Sequence, residues 1–167
     1  MQSADWIRGV LHAFTWINAR RNTAPHFEFT TISGVGSRED KLKQHLGEHS
    51  NNVEVFTSSL ISEHEDELVQ SLHGWLFVYL GFDNSRTDND DVPRLVDPDQ
   101  YFVMSHIDFR IVVCRNLARV ILEVCKPTEI AKMHLQADDG FLRYSFGRHY
   151  ILEGDSETWF LSLGEAF

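Results

Sequence analysis

Two cysteines, four prolines and no apolar run longer than the six residues Trp75–Leu80 mark what this chain has little of. Six residues fall far short of the roughly 20 that a membrane-crossing helix needs, so no membrane span is expected. The first residues, Met1-Gln2-Ser3-Ala4-Asp5-Trp6, carry no basic stretch leading into an apolar run, which is not the pattern of a secretory leader. Cys114 and Cys125 stand eleven residues apart. On one helix that separation is about 16 Å of rise, beyond the reach of a disulfide. Two buried thiols in a reducing, intracellular compartment fit this usage.

Basic charge is also scarce. Fifteen Lys and Arg face twenty-five Asp and Glu, for a net charge of −10. Six basic and eleven acidic groups lie in residues 1–84, nine and fourteen in 85–167, so neither half carries a basic tail. Phosphate binding requires clustered cations, which argues against direct contact with nucleic acid. Several catalytic signatures are missing as well: a Gly-rich phosphate loop, a G-x-S-x-G elbow, a C-x-x-C pair and any Glu-x-x-His.

What is present suffices for one globular unit over 1–167. Hydrophobic residues make up 43% and aromatics 12%, enough for a core and too rich for a disordered chain. The pattern predicts an α+β fold: helices over about 4–20, 62–80 and 98–125, packed on a mainly antiparallel sheet that ends in a three-stranded meander. Ser3 and Asp5 open the first helix, whose inner stripe is Trp6, Ile7, Val10, Leu11, Phe14 and Ile17. Phe27–Ile32 alternates apolar with polar residues as a strand does. Ser37-Arg38-Glu39-Asp40 reads as a capping box for a short peripheral helix ending near Gly47, and Val53–Phe56 reads as a further strand. Ser62-Glu63-His64-Glu65 reads as another capping box. Asp97-Pro98-Asp99-Gln100 is a helix start, although the β-branched density of 106–137 also permits strands. The meander is expected from Phe141–Phe146, His149–Glu153 and Trp159–Leu163, with Gly147-Arg148 as the first turn and Gly154–Glu157 as the second. Residues 83–97 form an acidic loop.

Three local patterns carry candidate chemistry. His45-Leu46-Gly47-Glu48-His49 has the spacing H-x-x-E-H and resembles the inverted-zincin metallopeptidases. That resemblance implies zinc held by His45 and His49, water activated by Glu48, and a third carboxylate ligand downstream, for which Glu123 and Glu129 are candidates. The same motif resembles that of the S-ribosylhomocysteine lyases, which implies a cysteine as third ligand, Cys114 or Cys125. A solvated polar helix end accounts for the same five residues without a metal. Arg21 to His26 has the R-x4-H spacing that resembles the ribonuclease motif of HEPN domains, but Pro25 interrupts the helix such a motif requires.

The third pattern is a surface one. Trp16 falls opposite the inner stripe of the first helix, with Arg20 one turn on, and tryptophan and arginine are the residues enriched at binding hot spots. Coverage of Trp16 by the sheet or a loop is the alternative, since tryptophan is mostly buried. Together with Asp88, Asp90 and Asp91 of the acidic loop, Trp16 and Arg20 point to a non-enzymatic protein that binds another macromolecule, of the inhibitor, immunity or regulatory kind. Its partner is expected to be another protein, and self-association stays open. The competing expectations are the small zinc-dependent hydrolase or lyase, and after it the HEPN-like ribonuclease.

Overall fold

The computed structural model describes residues 3–18, 24–47, 53–77, 107–137 and 146–166. Their order is α1 (Ala4–Asn18), β1 (Ala24–Ile32), α2 (Arg38–Leu46), β2 (Val53–Leu60), α3 (His64–Leu76), α4 (Ile107–Cys125), β3 (Glu129–Ala137), β4 (Phe146–Glu153) and β5 (Thr158–Ala166). The five strands form one sheet in the order β1-β5-β4-β3-β2, every neighbouring pair antiparallel. The fold is therefore α+β with a C-terminal β3-β4-β5 meander. Among the described residues, no helix is long and apolar enough to cross a membrane.

Both faces of the sheet are covered. α1, α3 and α4 pack on one face, through Ile7 and Leu11, Leu68 and Leu72, and Leu117 and Ile121, against Phe29, Tyr150 and Leu161. These aliphatic side chains are at most 1% exposed. Each such burial is worth about 1.5–3 kcal/mol relative to exposure. At one end of this layer Asn18 donates to the carbonyls of Phe14 and Leu76, at 2.8 and 2.9 Å, tying the last turn of α1 to that of α3.

α2 covers the other face with Leu42 and Leu46, over Val55, Met133, Ile151 and Phe160. Two leucines are little apolar grip for a helix, and polar side chains complete the attachment. Arg38 pairs with Glu129 of β3 and Glu153 of β4, and Lys41 lies 3.4 Å from the Thr158 hydroxyl of β5. Thr57 of β2 donates its hydroxyl to Glu39 at 2.6 Å, and His45 meets Glu28 of β1 at 3.1 Å. One nine-residue helix thus reaches all five strands.

Several expectations are met and several are corrected. The Ser37–Asp40 capping box forms in both directions, and Gly47, at φ 62°, caps the end of α2. At α3 the capping box does not form: the helix starts at His64, and Glu63 occupies the cap without a side-chain hydrogen bond. Trp6 is not part of a buried stripe but is 40% exposed at its rim. Gly147-Arg148 is no turn; both residues lie inside β4. The glycine is required because a Cβ there would sit 2.5 Å from the Leu163 carbonyl oxygen on β5. The meander accordingly begins with β3, and its second turn falls at Gly154, whose N–H donates to the Glu157 carbonyl at 3.0 Å. Positions 19–20, 78–80, 83–106 and 141–145 of the expected elements lie outside the described residues.

Candidate functional site

Two regions hold the residues singled out by the sequence. The first is the outer face of α1. A 15-residue helix with one buried stripe leaves an opposite face to solvent, and here that face carries aromatic groups. Trp16 is 61% exposed and Trp6 40%, so among the described residues neither sheet nor loop covers them. Ten residues on a helix place them about 15 Å apart along the axis. Gly9 and Ala13, both exposed, lie between them on the same face. Two contacts hold this surface in shape. The Trp16 indole N–H donates to Nε2 of His12 at 2.8 Å. Arg8 bridges Asp5, at 2.7 Å, and the Phe29 carbonyl of β1, at 3.0 Å.

That last contact reveals the geometry of the sheet edge. β1 pairs only with β5 among the described residues, so its other side is open. Backbone groups alternate sides along a strand. With the Phe29 carbonyl turned to Arg8, position 25 also faces outward, where Pro25, lacking an N–H, costs no ladder bond. An open cleft of about 440 Å³ runs between α1 and this edge, lined by Gly9, His12, Phe27 and Phe29. The exposed tryptophan face and the cleft are continuous through Gly9 and His12.

The second region lies under α2. His45 Nε2 faces one carboxylate oxygen of Glu28 at 3.1 Å, and His26 Nε2 faces the other at 3.3 Å. In the sheet Glu28 stands opposite Ser162, and Ser162 opposite His149. His149 Nδ1 lies 3.0 Å from the Ser162 hydroxyl. This pair is 3% and 1% exposed, so the hydroxyl cannot meet a substrate and the contact is a satisfied core interaction. The two imidazoles at Glu28 turn their Nε2 atoms toward carboxylate oxygens, as hydrogen-bond donors do. Among the described residues no group of three or more His, Cys, Asp or Glu side chains is arranged to hold a metal ion. α2 ends at Leu46, short of position 49, so it does not itself present His45 and His49 on one helical face.

Glu48, His49, Arg20, Asp88, Asp90 and Asp91 lie outside the described residues. Of the third-ligand candidates, Glu123 is exposed on α4 and the others are engaged or buried. Glu129 pairs with Arg38, and Cys114 and Cys125 are buried thiols, both pushed up to about 12 by burial. His26 lies on strand β1, not on a helix. The sequence reading missed Glu28 as the partner of His45. Its signal was the alternation of 26–30, which puts His26, Glu28 and Thr30 on the face opposite Phe27 and Phe29. In comparisons with known proteins, the chain matches no protein family, no curated protein and no solved structure.

Proposed function

We propose that the chain is a non-enzymatic interaction protein that docks a basic protein partner on the outer face of α1. The observation that carries this reading is the exposure of Trp16, 61%, with Trp6 about 15 Å along the same helix face. Exposed indoles cost free energy in water and are the side chains most enriched where partners bind. The net charge of −10 selects the kind of partner. Two copies of an acidic chain repel one another, whereas a basic partner is attracted, and its Arg or Lys groups find indole faces suited to cation–π contact. The cleft beside Gly9 and His12 offers room for one further side chain of that partner.

The chemistry elsewhere supports binding over catalysis. The Ser162–His149 pair is sealed, and Glu28 is engaged by His26 and His45. A photo-crosslinker placed at the exposed Ala13, in cells that make the protein, tests the reading. A basic protein crosslinked at Ala13, and lost when Trp16→Ala is added, supports it. Crosslinks only to a second copy, or to the same species with and without Trp16, overturn it. Elemental analysis separates the zinc reading: about one zinc per chain would favour His45, Glu48 and His49 instead.

A further inference from the structure

A second, independent site lies on the helical face of the sheet, between α3 and strands β3 and β4. A cavity of about 300 Å³ opens there, with Ser71 and Glu67 at its wall and Lys132 and Arg148 beside them. Its polar groups form a chain with one direction. The Tyr150 hydroxyl donates to Glu67 at 2.6 Å, and Lys132 donates to the same oxygen at 3.3 Å. The only proton of Tyr150 is thereby used, so in the 2.5 Å contact with Ser71 the serine is the donor. Ser71 keeps lone pairs for an incoming donor. The Tyr150 hydrogen bond holds Glu67 below the ordinary carboxylate range, and burial holds Tyr150 above the ordinary phenol range. A carboxylate so stabilised is a poor proton acceptor.

Charge and shape define what it binds. Two cations and one already satisfied carboxylate leave a single positive charge in surplus, in a chain whose net charge is −10. Arg148 is exposed and supplies a planar fork of donors, the shape that matches a carboxylate. Trp75 lines the same cavity and gives it an aromatic wall. Gly74 lines it too, at an exposed position on α3. A glycine inside a helix is unfavourable, yet Gly74 has no positive φ, and a Cβ there would meet nothing within 4 Å. A larger side chain at 74 would therefore extend into open space without meeting a neighbour.

We propose that this cavity binds a small planar monocarboxylate bearing a hydrogen-bond donor: the carboxylate on Arg148 and Lys132, the donor to Ser71, the plane against Trp75. The probe is 4-hydroxybenzoate, titrated into the full chain and followed by the backbone amide resonances of Ser71, Gly74 and Arg148. Saturating shifts at these amides are expected. Binding should weaken about tenfold or more for 4-hydroxybenzamide, which lacks the charge, and in Arg148→Gln, which loses a charged hydrogen-bonding partner. Benzoate, without the donor, should also bind more weakly. Gly74→Leu should abolish the shifts by filling the cavity. Arg148 is exposed, so that variant stays informative should Gly74→Leu fail to fold. Shifts that do not saturate, or an affinity unchanged in Arg148→Gln, would overturn the proposal.

Discussion

The indole N–H of Trp16 donates to Nε2 of His12 one turn earlier on α1, at 2.8 Å, and the two rings stand nearly perpendicular at 82°. This bond consumes the only donor of the indole and fixes the tautomer of His12, whose proton must then sit on Nδ1. What Trp16 presents outward is an oriented ring. An oriented ring loses less rotamer freedom when a partner lands on it.

His12→Ala therefore separates orientation from contact. With His12 gone, Trp16 keeps its exposure and loses its brace. Partner affinity is expected to fall by about threefold to tenfold, the cost of ordering one or two side chains at an interface. Stability should change by no more than about 0.5 kcal/mol, as for an exposed position. Calorimetric titration together with thermal unfolding reads both.

Arg38 joins α2 to two strands at once, through Glu129 and Glu153. With its side chain 26% exposed, the pair of contacts exceeds an isolated surface bridge in value. Arg38→Ala should destabilise the protein by about 1–2 kcal/mol, because two carboxylates lose their shared donor. Hydrogen exchange should quicken first in Leu42 and Leu46, the apolar contacts of α2, and not in α3.

Glu39 has its carboxyl held at about 2, chiefly by the Thr57 hydroxyl, against an ordinary value of 4.5. A carboxylate lowered in the folded state adds stability that is complete above its unfolded value and is lost as pH falls toward the folded one. Between about pH 4.5 and 2 the native protein should thus lose this contribution. Thr57→Val removes the hydroxyl and should flatten the fall of stability across that window. Direct titration of Glu39 by carbon-detected NMR should show its midpoint moving up.

Cys114 and Cys125 are both buried on α4, and burial places both thiols at about 12. The thiolate is the reactive form, so neither should be alkylated in the native protein at neutral pH. Mass spectrometry after iodoacetamide treatment should show no adduct before unfolding and two after it.

The sequence carried the helices well and the sheet partly. The stripes of α1 and α4 are legible because burial on one side imposes the helical period on Ile7, Leu11, Leu117 and Ile121. β3 was not, since Glu129–Ala137 mixes Lys132, His134 and Gln136 with apolar residues and follows a segment rich in β-branched side chains. Gly147 was misread because a glycine demanded by a neighbouring strand looks the same in sequence as one demanded by a turn. Trp16 was legible from helical phase alone, whereas Glu28 beside His45 depends on how a strand and a helix 17 positions apart are brought together.

The most direct test of the central claim is the affinity of the protein captured at Ala13 for the wild type and for Trp16→Ala, measured at two salt concentrations. The account predicts a loss of about tenfold or more in Trp16→Ala, as at an interface hot spot, with unchanged thermal stability and weaker binding at higher salt. An equal affinity for both proteins, or binding indifferent to salt, would contradict it.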